Sequence, residues 1–165
     1  MSDVVPTLPS MLRDELFHPA VVHFPIAFLA LSGMLAILWL LFRRGSHTLA
    51  IVLFCGVAGG WLGILTGGWA EDVVNRVICD PTVTGEHEKW AEWAVWSASA
   101  ALPIVLWSVF RKRKRISFFP RFVATVLLVF AAGAVLYAGH LGATLVYQQG
   151  AAVYKPGPQC TEFSD

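Results

Sequence analysis

The hydrophobic and polar positions of the chain fall into four long apolar blocks separated by short polar links. The blocks are Ala20–Phe42, Thr48–Ala70, Trp90–Phe110 and Phe122–Tyr147, of 23, 23, 21 and 26 residues. Each is long enough to cross a hydrocarbon core about 30 Å thick as an α-helix. The pattern predicts an all-α integral membrane protein, with helices over about 20–42, 48–70, 88–110 and 120–147 in a single domain spanning residues 1–165. Links of about five residues between the first two helices and about eleven between the last two favour antiparallel neighbours in an up-down four-helix bundle. The connection 71–87 is the only one long enough for structure of its own, and Asp80-Pro81 reads as a turn before the third helix.

Composition agrees. Of the residues, 56% are hydrophobic and 14% charged, against about 25% charged in an average soluble domain, which excludes an ordinary soluble protein. The formal net charge of +1 conceals a segregation that the segments reveal. The links Arg43–His47 and Arg111–Arg121 hold Arg43, Arg44, Arg111, Lys112, Arg113, Lys114, Arg115 and Arg121, eight of the 12 basic residues and none of the 11 acidic ones. By the positive-inside rule these links face the cytoplasm, and both termini, the loop 71–87 and the tail 148–165 face out. A basic cluster beside a spanning helix is accounted for by topology, so Arg111–Arg115 implies no nucleic-acid partner. Residues 1–17 carry Asp3, Asp14 and Glu15 and lack a basic region leading into a short apolar stretch, so the first helix is expected to remain in the mature protein.

Cys79 and Cys160 both fall on the oxidising side, where a disulfide would pin the tail over the loop and the alternative is two free thiols. Cys55, inside the second helix, reads as a small buried apolar residue. Gly56, Gly59, Gly60, Gly63 and Gly67 give overlapping small-x-x-x-small steps that let helices approach closely. Gly133, Gly139 and Gly142 on the fourth helix serve the same end or leave room for the flat face of a macrocycle. Trp90, Trp93 and Trp96 recur every third residue of the third helix, with Trp61 and Trp69 on the second, a pattern that an interfacial aromatic belt explains. Glu92 is expected to snorkel outward or to pair with Lys89, three residues earlier.

Four of the five histidines, His18, His23, His87 and His140, lie toward the outer ends of helices, and His47 is alone in a cytoplasmic link. Ionisable side chains at membrane depth are costly and mark functional sites. Facing imidazoles in a four-helix bundle are the usual protein contribution to a b-type haem, which needs two axial nitrogens and an apolar slot. His140 pairs with His23 or with His87 in this reading, and His18 completes a second pair at the rim. The alternative leaves each histidine hydrogen-bonded at the interface without a metal. Haem outranks copper or zinc because no Cys or Met pattern accompanies the histidines.

The stretch His18-Pro19-Ala20-Val21-Val22-His23-Phe24-Pro25-Ile26-Ala27 resembles the opening signature of a bacterial family of small membrane proteins, domain of unknown function 2231. Gly139-His140-Leu141-Gly142-Ala143-Thr144-Leu145-Val146-Tyr147 is similar to its closing motif, and His87 stands where the family tends to carry a histidine. The resemblance implies a four-helix protein of the bacterial inner membrane, often encoded near or fused to periplasmic redox domains such as c-type cytochromes and sugar dehydrogenases. Gln148 and Gln149 follow the tyrosine where many members carry a further histidine, a departure that weakens a second metal centre at the rim.

These observations point to a non-enzymatic electron-transfer subunit, a cytochrome b with haem toward the outer face. Its expected partners are membrane lipid, a periplasmic cytochrome c or dehydrogenase, and a quinone or the other subunits of a larger respiratory or photosynthetic complex. The rival reading is a cofactor-free scaffold or assembly subunit that docks through its glycine faces.

Overall fold

The structure, a computed structural model, describes residues 14–76, 78–111 and 117–153. Its helices are α1 (Asp14–Phe42), α2 (Ser46–Val74), α3 (Thr82–Phe110) and α4 (Phe118–Tyr147), and the described residues contain no strand. All four are long and apolar enough to cross a membrane. Lengths of 29 or 30 residues correspond to about 44 Å at 1.5 Å per residue. That exceeds a hydrocarbon core of about 30 Å, so the outermost turns reach the headgroup region.

The helices outrun the apolar blocks, chiefly at one end. α1 starts before residue 20, α2 continues past residue 70, and α3 starts at Thr82 rather than near residue 88, which narrows the connection to 75–81. The cause at α3 is local. The Asp80 carboxylate accepts hydrogen bonds from the Thr82 amide at 3.0 Å and its hydroxyl at 2.6 Å, and Pro81 needs no amide partner at a helix start. His87 consequently lies in the second turn of α3 instead of at its mouth.

Neighbouring pairs are α1–α2, α2–α3, α3–α4 and α4–α1, so α1 faces α3 across the diagonal. Inward positions repeat at alternating steps of three and four. On α1 the seam is His18, Val22, Pro25, Leu29, Ser32, Ala36 and Trp39; on α3 it is Thr84, His87, Ala91, Ala94, Ala98, Ala101 and Val105. This heptad spacing is the mark of a near-parallel bundle with interdigitating side chains.

The two ends of the seam differ in filling. At the end bearing the links 43–45 and 111–117, the arginine end, Trp39, Leu49, Leu53, Val105, Ala124 and Leu128 close the core. Arg121 is buried there and donates through Nη1 to the carbonyls of Leu40 at 3.2 Å and Trp39 at 3.4 Å, the latter oxygen also accepting the Arg43 amide at 3.0 Å, so the side chain ties down the end of α1. Arg43 and Gly45 adopt φ of 58° and 83°, the left-handed turn that sends the chain directly back into α2. At the opposite, histidine end the inward positions of α2 and α4 are Gly60, Gly63, Gly67, Ala138 and Gly142, and the helices enclose space. A small cluster of Val74, Ile78, Val83, Leu145 and Ala151 roofs that end, with the Asp80 amide donating to Gln149 Oε1 at 3.0 Å.

The glycines of α2 other than Gly68 are used within the bundle. A Cβ on Gly60 would meet Val95 Cγ2 at 2.6 Å, and on Gly56 it would meet Leu29 Cδ2 at 2.9 Å. The remaining large exposed apolar side chains, among them Phe24, Met34, Ile51 and Phe54, form the surface that lipid covers. Cys55 belongs to that surface rather than to the core. Lys89 pairs with Glu86 at 3.6 Å and lies over the Trp93 ring, so its partner is not Glu92.

Candidate functional site

A cavity of about 520 Å³ occupies the histidine end and is lined by all four helices. His18 from α1 and His87 from α3 meet in it across the diagonal, their ring centroids 5.9 Å apart and their planes at 90°. His18 Nδ1 donates to the Gly63 carbonyl of α2 at 3.1 Å, with Thr66 Oγ1 at 3.3 Å. His87 Nδ1 donates to the Ala138 carbonyl of α4 at 2.8 Å. A carbonyl can only accept, so each bond needs the proton on Nδ1, and in the neutral imidazole Nε2 is then the nitrogen with the lone pair. Neither Nε2 has a hydrogen-bond partner among the described residues.

Glycine makes room for both rings. A Cβ on Gly67 would stand 3.2 Å from His18 Cε1, and one on Gly142 would stand 3.3 Å from His87 Cε1. The deeper wall is apolar, built from Pro25, Leu29, Val95 and Val135, while Thr84, Glu71 and Glu88 line the outer part.

The other expected site residues fall differently. His23 lines the cavity, is exposed, and donates through Nδ1 to the Pro19 carbonyl one turn back at 2.6 Å. His140 is exposed and is not among the lining residues; its ring lies 6.3 Å from that of Tyr137, which in turn stacks edge-on with Trp90 at 5.0 Å. The structure thus brings together His18 and His87 and does not bring His140 to either. His47 lies at the opposite end, in a shallow groove with Phe54, Cys55 and Leu106. Cys79 is exposed, and its pairing with Cys160 lies outside the described residues.

Among the described residues no three His, Cys, Asp or Glu side chains converge as a metal-binding group. A pair of imidazoles above an apolar chamber suits instead a group that brings most of its own ligands. Thr84, which the sequence reading passed over, could have been found from the seam: it precedes His87 by three positions on the same inward stripe.

Fold and chamber together define a four-helix membrane protein with a ligand-sized cavity between the helix ends on one side. The chain belongs to the DUF2231 family of predicted membrane proteins, whose profile matches residues 15–155. No curated protein and no solved structure matches it.

Proposed function

We propose that this protein holds a b-type haem between His18 and His87 and serves as a membrane electron-transfer subunit. The observation that carries the reading is the pair of diagonal imidazoles with both Nδ1 atoms committed to carbonyls, the arrangement in which metal-ligating histidines are held. Metal–imidazole bonds of about 2 Å put the centroids of two opposed rings about 6 Å apart, and the observed separation is 5.9 Å. The 520 Å³ of the cavity falls within the range of about 300–1,000 Å³ usual for cofactor pockets.

Haem supplies reversible one-electron chemistry, and the chain supplies the environment. His18 and His87 would hold the iron through their Nε2 atoms. The Gly63 and Ala138 carbonyls hold their tautomers and ring directions, and Gly67 and Gly142 let the rings stand close to the helix backbones. Pro25, Leu29, Val95 and Val135 keep water from the deeper face. The exchange partners are a periplasmic cytochrome c or dehydrogenase on one side and a quinone or a larger membrane complex on the other, with no bond-making reaction catalysed by the chain itself.

The test is the visible spectrum of the purified protein, oxidised and dithionite-reduced. Sharp reduced bands of a low-spin six-coordinate haem support the reading. Colourless protein from haem-replete cells, without metal by elemental analysis, would favour the cofactor-free scaffold. That rival has lost part of its ground, because Gly56, Gly60, Gly63 and Gly67 pack inside the bundle and are not offered to a partner.

A further inference from the structure

At the arginine end a second recess, of about 310 Å³, opens between α2 and α3. It is separate from the histidine chamber, since His47 stands 16 residues before Gly63 on α2, about 24 Å along the helix axis. α2 contributes one face of the recess, running from His47 through Ile51 and Phe54 to Cys55, and α3 contributes Leu106 and Val109. From His47 to Cys55 this face extends about 12 Å, and beyond His47 its lining is apolar apart from the Cys55 thiol. The rim is cationic. Arg43 and Arg44 immediately precede α2, Arg111 follows Val109 by two residues at the end of α3, and all three are exposed. The Arg111 guanidinium lies 4.9 Å from the centroid of the Trp107 ring, which holds it at the level of the last turn. Every acidic residue of the chain falls before residue 16, between 71 and 92, or after 161, so this end offers the three arginines no carboxylate.

We infer that the recess seats one anionic phospholipid, its phosphate among Arg43, Arg44 and Arg111 and one acyl chain along Ile51, Phe54, Leu106 and Val109. The inference goes beyond the haem reading and stands independently of it. Charge decides the occupant. An apolar recess alone suits any lipid tail, a quinone or a second copy of the chain. A quinone brings no charge to meet three cations, a second copy brings the same cations against themselves, and a zwitterionic headgroup adds its own ammonium beside the arginines. A phosphodiester matches the guanidinium fork, and basic recesses between membrane helices are sites of anionic headgroups. Gly45 opens α2 without a side-chain cap, so the first turn presents further amide donors at the same level. The volume lies at the lower limit of the range of about 300–1,000 Å³ that encloses a whole ligand, which suits one chain held by the protein and the other left in the bilayer.

The experiment delipidates the full-length protein in detergent, titrates it with dioleoylphosphatidylglycerol or dioleoylphosphatidylcholine, and reads the adducts by native mass spectrometry. The wild type should hold one phosphatidylglycerol about tenfold to a hundredfold more tightly than phosphatidylcholine, each cation near the phosphate contributing about fivefold. Arg44→Gln with Arg111→Gln should remove most of that preference. Cys55→Phe fills the recess and Phe54→Ala removes part of its wall, both with the charges intact. Each should weaken the first phosphatidylglycerol by about tenfold and leave the melting temperature of the lipid-free protein nearly unchanged, because both positions are exposed. Equal affinity for the two lipids overturns the inference. So does a preference that survives both Cys55→Phe and Phe54→Ala, which would reduce the site to surface charge. Displacement of the lipid by decylubiquinone from the wild type and from the double arginine variant alike would give the recess to a quinone, and a lipid-free dimer would give it to a second copy; either result overturns the inference.

Discussion

His18 and His87 belong to helices that face each other across the bundle diagonal, yet their rings are 5.9 Å apart. The contact is possible because the intervening corners of α2 and α4 are glycine or alanine at Gly63, Gly67, Ala138 and Gly142. Each ring is anchored to a backbone carbonyl of one of those corners. Two helices that are not lateral neighbours are therefore joined at this end through their imidazoles and through the helices beside them.

If these rings are the axial ligands, His18→Ala and His87→Ala should each abolish the six-coordinate low-spin spectrum, leaving five-coordinate iron or none. His140→Ala and His47→Ala should retain it, since neither side chain lines the cavity. Absorption and electron paramagnetic resonance of the four variants check this, and loss of the spectrum in His140→Ala with retention in His18→Ala would reverse the assignment.

Gly67→Ala and Gly142→Ala test the ring positions without removing a ligand. Contacts of 3.2 and 3.3 Å to the imidazole carbons require a ring shift of a few tenths of an ångström, and a shifted ligand alters the reduction potential. Gly133→Ala meets nothing within 4 Å and lies off the cavity, so it should leave the potential unchanged and stability unchanged or slightly raised. Potentiometric titration compares the three variants.

Gly60→Ala should destabilise the bundle by about 1–3 kcal/mol, the usual cost of overpacking, because its Cβ would stand 2.6 Å from Val95 Cγ2. Val95→Ala in the same chain should recover most of the loss, as expected for residues that share one contact. Unfolding in detergent of both single variants and the double variant gives the coupling.

The charge segregation predicts sidedness. In a cysteine-free background, Asp80→Cys should react with an impermeant thiol reagent applied to intact cells, and Arg44→Cys should react only after lysis. The opposite pattern would invert the molecule in its membrane.

The Thr82 hydroxyl, and after it the Thr82 amide, hold the Asp80 carboxyl below the usual carboxylate range. A group whose folded pKa is depressed contributes stability above its unfolded pKa, and that contribution is lost as pH falls through the folded value. Thr82→Val should move the Asp80 titration back up toward the ordinary range, read by carboxyl-carbon NMR, and should shift any acid-induced fraying of the α3 start to higher pH.

The four helices were legible in the sequence because freedom from charge over some twenty residues has one structural solution in lipid. The helix ends were not. Polar turns such as Thr82–Lys89 extend past the apolar block, and only the Asp80–Thr82 bonds reveal where α3 begins. The site was half legible. Histidine at membrane depth announced chemistry, but pairing depends on which face each residue occupies. On α4 the inward stripe runs through Ala131, Val135, Ala138, Gly142 and Leu145, and His140 lies two residues beyond Ala138, about 200° around the helix. His18 and His87 fall on the stripes of α1 and α3, which the three-and-four spacing would have indicated.

One repeat runs the length of the molecule, filled by Leu, Val and Trp near Arg121 and by Gly, His and Thr at the far end. Local opening free energy follows packing, so backbone amide exchange should be graded along the axis: slowest around Leu53, Val105 and Leu128, and progressively faster toward Gly67 and Gly142. A chain of this design is welded at one end and sprung at the other, and a guest seated between the sprung ends would slow exchange there most, while the welded half keeps the rate it already has.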